Sequence, residues 1–390
     1  MLTKVRIMHP GSSIPFNRPC LVGPEMERVQ EALTRGHISS GGWFSDKASS
    51  RLQTFHKAAE VLLTTSCTDA LEMSAMLAGV QPGDVVIVPS FTFSSTATAF
   101  ARQGARIRFC DIRRPELGLD PDDVRRCISE EVRAIVTVHY AGVPSAVIEL
   151  REIADEYDIP LIEDNAHGLF GSFSGRPLGT FGRMSTLSFH ETKNFSCGEG
   201  GALVLNDSED IEQAHILLDK GTNRQSFLDG VVDKYTWQGH GSSFGLSDLL
   251  AAFLDVQLEN RDEIQARRRR VSLNYRNRLQ PLSTEFGFSL PYEPPDAVPT
   301  DHMFYILLPS PDLRAPLMAR MREDGINTAF HYVPLHSAPA AAILADSYRD
   351  CPVSDDVSSR ILRLPFFNDL TEQDLERVAA SLENALRETV

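Results

Sequence analysis

The amino-acid sequence predicts an α/β fold with a mainly parallel sheet covered by helices. Between residues 25 and 205, helix-like stretches alternate with short β-like runs that are bounded by turn residues. Most of these runs are apolar at consecutive positions, which is typical of strands buried on both faces. The β-like runs cover residues 85–88, 107–110, 134–138, 160–162, 186–189 and 202–205.

The helices predicted between these runs would connect parallel strands. They cover residues 67–78, 121–127 and 147–157. Asp120 precedes Pro121, so its side chain can cap the second helix while the proline occupies the first helical position. Right-handed crossovers limit the strand orders that are possible, but the sequence does not select one of them.

The rest of the chain predicts a smaller C-terminal unit, and we expect domains at residues 1–250 and 251–390. Residues 246–279 form one or two long helices, and a proline-rich stretch follows at 291–299. A strand near 303–308, a helix near 313–323 and a last helix after Thr371 complete this unit. Because the surrounding chain is acidic, the four arginines at 267–270 indicate a solvated helix face or a contact with a second subunit.

Composition favours a cytoplasmic protein with small-molecule partners. The 390 residues carry a formal net charge of -15, which disfavours binding to nucleic acid or to an anionic membrane. No run of about 18 apolar residues could cross a bilayer, and the N-terminus lacks the pattern of a secretion signal. The six cysteines include no CxxC pair, which indicates reduced thiols and predicts no metal site.

Three local patterns carry possible chemistry. A Ser/Thr-rich segment with Ser66 and Thr68 opens a predicted helix, where backbone N–H groups favour phosphate, although such a cluster can be a simple helix cap. Asp164 follows an apolar strand, where it can point into a ligand site or cap the next turn. Lys193 lies in a loop just after another strand and ahead of three glycines, which let the backbone approach a ligand. Without the other two patterns, it would be interpreted as a solvated surface lysine.

Together, the three patterns match the needs of pyridoxal 5'-phosphate. Its aldehyde needs an amine, its phosphate needs donors, and its pyridine nitrogen needs an anion in order to stay protonated and act as an electron sink. Lys193 and Asp164 are therefore the predicted catalytic residues. Phe93, after the strand at 85–88, is available to stack on the ring, and a core position is the alternative.

These residues and their order make the chain similar to the DegT-type sugar aminotransferases, from residues 14–17 to 364–366. The resemblance implies an aspartate aminotransferase-like fold, with a seven-stranded sheet between helices and a smaller C-terminal domain. It implies that Lys193 forms the Schiff base and that pyridoxamine phosphate is the intermediate form. It also places Ser188, Cys67 and Thr68 at the phosphate, Asp164 at the ring nitrogen and His167 near the phenolic oxygen.

The resemblance also implies partners: glutamate as amino donor, a dTDP-linked 4-oxo-6-deoxyhexose as acceptor, and a homodimer with shared active sites. Many members carry Gly-Tyr-Asn-Tyr-Arg, whose asparagine reaches the neighbouring subunit's cofactor, whereas residues 241–245 read Gly-Ser-Ser-Phe-Gly and place Ser243 there. His331, Tyr332 and His336 are expected near the sugar nucleotide, with a core histidine as the alternative for His336. Other nucleotide-linked oxo-sugars, a sugar dehydratase and a cofactor-binding regulator are the rival functions, and Lys193 argues against the dehydratase.

Overall fold

The structure, a computed structural model, describes residues 13–389. Its helices, in chain order, are α1 Glu25–Arg35, α2 Trp43–His56, α3 Cys67–Leu77, α4 Ser95–Ala101, α5 Pro121–Cys127, α6 Val147–Glu156, α7 Ile211–Leu218, α8 Arg224–Leu228, α9 Asp248–Glu259, α10 Arg261–Phe286, α11 Arg314–Glu323, α12 Ala341–Leu344, α13 Pro352–Arg360 and α14 Glu372–Thr389. Its strands are β1 Glu60–Thr64, β2 Val85–Pro89, β3 Arg106–Cys110, β4 Ile112–Arg113, β5 Gly118–Leu119, β6 Val132–Val138, β7 Leu161–Asp164, β8 Ser172–Phe173, β9 Arg176–Pro177, β10 Met184–Ser188, β11 Gly201–Leu205, β12 Ala297–Val298, β13 Tyr305–Leu307 and β14 Ile361–Arg363.

A seven-stranded sheet in the order β1-β11-β10-β7-β6-β2-β3 is the centre of the molecule. The pairs from β10 to β3 are parallel, and only β11 runs antiparallel to both of its neighbours. The predicted α/β class and mainly parallel sheet are therefore confirmed, and each of the six predicted strands is present.

Helices cover both faces of the sheet, as its continuous apolar pattern predicts. Val86 and Val88 of β2 pack in one buried cluster with residues of α3 and α4. Val85 and Ile87, which point the other way, pack in a second cluster with residues of α5 and α6. The helix predicted at 121–127 is observed with these bounds, and the side chain of Asp120 accepts a hydrogen bond from the Asp122 N–H as its cap.

Strand β1 was not predicted. Its apolar core is only three residues long, from Val61 to Leu63, which is too short to give a pattern of its own. The strand is defined instead by pairing with β11, in which Glu60 faces Leu205 and Thr64 faces Gly201. Partners this distant along the chain cannot be recognised from local sequence.

The C-terminal unit has a separate core. Buried residues of α10, α11 and α14 pack against the antiparallel pair β13 and β14 and form one apolar cluster. By contrast, α9 packs on α1 and α2 beside the large sheet. Within residues 13–389, no helix combines the length and the apolar character that crossing a membrane requires.

The prediction for the arginine run was wrong at Arg268. This side chain is 2% exposed and donates to the carbonyl oxygens of Asp301 and His302 at 2.9 and 2.6 Å. It also donates to Asn368 Oδ1 at 2.9 Å, and its guanidinium lies over the ring of Phe366. Burial lowers its pKa to about 10. Arg268 therefore ties α10 to two loops of the C-terminal unit, instead of facing solvent.

We predict that Arg268→Met lowers the free energy of unfolding by about 3 kcal/mol, because it leaves two buried carbonyl groups without donors. Urea unfolding followed by circular dichroism measures this loss. The matched control is Arg267→Met, because the Arg267 side chain is 36% exposed and pairs with the exposed Glu263. Equal effects of the two substitutions would contradict the structural role given to Arg268.

Candidate active site

A cavity of about 520 Å³ opens at the carboxyl ends of the parallel strands. Strand β7 ends there with Asp164 and β10 ends there with Ser188, because parallel strands finish at the same edge of a sheet. Most of the residues predicted for the site line this cavity: Cys67, Thr68, Phe93, Asp164, His167, Ser188, Lys193, His331 and Tyr332.

Ser243 and His336 do not line this cavity. Ser243 lies in a separate surface depression with Thr65 and Asp69. His336 is buried, and its Nδ1 lies 2.6 Å from Ser90 Oγ. Within one subunit neither side chain reaches the cavity, and the position of His336 fits the alternative of a core histidine.

One end of the cavity is formed by the start of α3. Ser66 caps this helix by accepting the Asp69 N–H at 3.1 Å, which leaves the N–H groups of Cys67 and Thr68 in the first turn without intrahelical partners. Gly201 lies beside them, and a Cβ atom there would stand 2.4 Å from the Cys67 nitrogen. These donors, with the hydroxyl of Ser188, could hold a phosphate.

Asp164 lies farther inside and is buried. Its Oδ2 accepts a hydrogen bond from Thr96 Oγ1 at 2.7 Å, and its Oδ1 accepts one from the Ala166 N–H at 3.2 Å. Burial raises the pKa of Asp164, while these two donors oppose the rise. No cationic side chain among residues 13–389 forms an ion pair with the Asp164 carboxylate. This carboxylate is therefore available to pair with a protonated pyridine nitrogen.

Lys193 is held on a loop whose two ends are hydrogen-bonded to each other. The Phe189 N–H donates to Gly200 O at 2.8 Å, and the Cys197 N–H donates to Phe189 O at 3.0 Å. Burial is the main cause that lowers the pKa of Lys193; the nearby Cys67 and Asp164 oppose the shift, and the Arg363 guanidinium adds to it. The lower pKa favours a neutral amine, which is the form that attacks an aldehyde or accepts a proton.

Two stacked imidazoles form another wall. The rings of His167 and His302 lie 4.2 Å apart with planes at 17°. Burial lowers the pKa of both rings well below the usual value, so both are neutral near pH 7. His167 Nδ1 is buried and has no hydrogen-bond partner among the described residues, so it can bind a polar atom of a ligand.

Sequence reasoning missed Thr96, His302 and Arg363, which also line the cavity. Thr96 and His302 gave no signal, because their roles depend on contacts with Asp164 and His167 that are distant in sequence. Arg363 did carry a signal, because a charged residue inside the apolar run 361–367 is unusual for a buried strand.

The side chain of Phe93 is 59% exposed, so Phe93 is not an aromatic residue of the core.

An unpartnered buried imidazole nitrogen, a helix start with free donors, an unpaired aspartate and a desolvated lysine share this one cavity. Together they fit pyridoxal phosphate, whose phosphate could bind at the start of α3 and whose ring nitrogen could pair with Asp164. The fold and the site thus define a pyridoxal-phosphate enzyme of the aminotransferase class.

Comparison with known proteins agrees with this class. A sequence model of the DegT/DnrJ/EryC1/StrS aminotransferase family matches residues 19–383. A dTDP-4-dehydro-2,3,6-trideoxy-D-glucose 4-aminotransferase from Saccharopolyspora spinosa is 31% identical over 390 residues, covering 96% of this chain and 97% of the relative.

Two solved structures share the fold. The aminotransferase TlmJ from Streptoalloteichus hindustanus superposes with a TM-score of 0.88 at 28% identity, covering 96% of this chain and 99% of that chain. DesV from S. venezuelae, solved with a ketimine intermediate, has a TM-score of 0.85 at 27% identity, covering 96% and 98%. The chain belongs to the DegT/DnrJ/EryC1/StrS aminotransferase family, and it is an aminotransferase that depends on pyridoxal phosphate.

We predict that the lowered pKa of Lys193 changes how pyridoxal phosphate attaches to the cofactor-free protein. Because only the neutral amine reacts, the attachment rate should level off at a lower pH than for Nα-acetyllysine, whose pKa is about 10.4. Stopped-flow absorbance across pH measures both rates, with Lys193→Ala as the background. A protein profile that coincides with that of acetyllysine would contradict the prediction.

Proposed function

We propose that the protein transfers the amino group of glutamate to C4 of dTDP-4-dehydro-6-deoxyglucose and forms dTDP-4-amino-4,6-dideoxygalactose. The observation that carries this proposal is one cavity lined by both Lys193 and Asp164, in a chain of the sugar aminotransferase family. The C4 position is supported by the Saccharopolyspora relative, which acts at C4 of a dTDP-linked sugar. Glutamate becomes 2-oxoglutarate as the ketone becomes an amine.

The cofactor, when bound, supplies an aldehyde that accepts the amino group and a ring that takes up the electrons of the broken C–H bond. In our proposal, the N–H groups of Cys67 and Thr68 and the hydroxyl of Ser188 bind its phosphate. Phe93 covers one face of the ring, and His167 donates to or accepts from its phenolic oxygen. These contacts would hold the cofactor in the cavity that Lys193 also lines.

Lys193 is proposed to move the protons. Its neutral amine takes the proton from the α-carbon of glutamate and later delivers a proton to C4 of the sugar. Asp164 keeps the pyridine nitrogen protonated through its charge, and Thr96 holds the carboxylate in place through the 2.7 Å hydrogen bond. The face of the sugar that Lys193 reaches then decides the configuration at C4.

A homodimer would complete the site. Ser243 opens onto the surface, where it could meet the cofactor phosphate of a second copy. The segment 227–237, which precedes Ser243 in the chain, exposes several large apolar side chains, among them Val231 at 75% and Trp237 at 81% exposure. Clustered exposed apolar side chains are typical of a surface that contacts another protein. His331 and Tyr332 line the cavity itself, where we expect the sugar nucleotide.

A panel of dTDP- and UDP-linked 4-oxo and 3-oxo sugars, incubated with glutamate, tests the proposal. We expect the fastest turnover with dTDP-4-dehydro-6-deoxyglucose and a product with the galacto configuration by NMR. Lys193→Ala should reduce turnover by at least about 1,000-fold, because it removes the proton carrier. The matched control is Lys57→Ala, at an exposed lysine outside the cavity lining. A preference for dTDP-4-dehydro-2,3,6-trideoxyglucose would contradict the proposed substrate and would indicate that this enzyme catalyses the reaction of the Saccharopolyspora relative.

We predict that Asp164→Asn keeps the fold but slows loss of the glutamate α-proton by about 100-fold or more, because a neutral amide does not hold the ring nitrogen protonated. Stopped-flow absorbance in the half-reaction with glutamate measures the rate of this proton loss. A slower rate with glutamate deuterated at the α-carbon shows that proton loss is the rate-limiting step. The control is Asp262→Asn, at an exposed carboxylate outside the cavity lining. A rate within threefold of the parent enzyme would remove the proposed role.

A further inference from the structure

We infer that Arg363 binds the α-carboxylate of the amino donor. This inference rests on the proposed function, because it deepens the glutamate half of that reaction. Arg363 ends strand β14 in the C-terminal unit, and its side chain lines the same cavity as Lys193 and Asp164. No proposed role in binding the cofactor uses this side chain.

The guanidinium of Arg363 has hydrogen-bonding capacity that the protein does not use. Nη2 donates to Phe330 O at 3.1 Å, and the planar group lies 4.7 Å above the centre of the Phe16 ring. Nε is buried and has no partner among the described residues, and Nη1 has none there either. A guanidinium with a free edge matches the two oxygens of a carboxylate.

No acidic side chain of residues 13–389 neutralises this arginine. The acidic residues of the cavity lining are Asp164 and Glu199, and neither forms an ion pair with Arg363. Burial lowers the pKa of Arg363, but arginine stays charged at physiological pH. Arg363 is half-buried and its Nε is buried without a partner among the described residues, so its unpaired charge is costly and an anionic ligand would be bound favourably there.

Proximity to Lys193 favours a carboxylate over a diphosphate as this anion. Arg363 and Lys193 line the same cavity, and the charge of Arg363 also contributes to the lowered pKa of the Lys193 amine. The α-carboxylate of an amino acid is bonded to the carbon from which Lys193 would take a proton. In a nucleotide sugar that reacts at C4, the diphosphate is attached at C1, across the hexose ring from the reacting carbon.

Replacement of Arg363 should leave the fold intact. Its backbone is held by strand pairing, with the Arg363 N–H donating to Ala329 O at 2.8 Å and the Ala329 N–H donating back at 3.1 Å. Neither bond involves the side chain. Arg314 offers a matched control, since its guanidinium also lies over an aromatic ring, that of Phe330, but outside the cavity lining.

The test measures equilibrium binding of two probes to the holoenzyme by calorimetry: glutarate, a dicarboxylate that cannot react, and dTDP. We expect Arg363→Gln to weaken glutarate binding on the order of 100-fold and to change dTDP binding less than twofold. Arg363→Lys should recover part of the loss, because it keeps the charge without the planar fork. Arg314→Gln should change neither probe by more than twofold.

Single-turnover rates add a second readout. Arg363→Gln should raise the glutamate concentration needed for half-maximal rate on the order of 100-fold, while the half-reaction of the pyridoxamine phosphate form with the oxo-sugar changes little. A greater loss of dTDP than of glutarate would overturn the inference in favour of a diphosphate site. Unchanged glutarate binding would reduce Arg363 to a packing role. A parent enzyme that binds glutarate but does not deaminate glutamate would instead count against the proposed function.

Discussion

The parallel pairing of β7 with β10 sets the geometry on which the site depends. It places Asp164 opposite Thr186, so that β10 ends two residues later at Ser188 and leads into the Lys193 loop. The antiparallel strand β11 then places Gly201 between Thr64 and Ser188, next to the start of α3. A shift of one residue in either pairing would turn side chains to the opposite face of the sheet and separate the amine from the carboxylate.

Desolvation determines which groups in the cavity carry charge. Burial favours the neutral form of Lys193, His167 and His302, so these groups can exchange protons or hydrogen bonds without a fixed positive charge. Arg363 stays positive because its intrinsic pKa is too high for burial to change its state. The cavity thus contains both neutral groups that can exchange protons and an arginine that stays positively charged, which suits the anionic substrates of the proposed reaction.

The sequence predicted what depends on neighbouring residues. The strands β2, β3, β6, β7, β10 and β11, the cap at Asp120 and the position of Lys193 after a strand follow from local pattern, and the resemblance to the family added the proposed roles of Ser188 and His167. It could not predict β1, the burial of Arg268 or the contact of Thr96 with Asp164, because each depends on partners far along the chain. Arg268 shows the limit clearly: it has the same chemistry as Arg267, and only the loops packed on α10 distinguish them.

The closed loop that carries Lys193 has a consequence for motion. Since hydrogen bonds between residues 189 and 200 fix both ends of the loop, the backbone at Lys193 is anchored while its four-carbon side chain keeps its rotatable bonds. The amine can therefore move between successive positions by changes of rotamer, without movement of the backbone that carries it. The proposed proton carrier is thus a side chain that can change position on an anchored backbone.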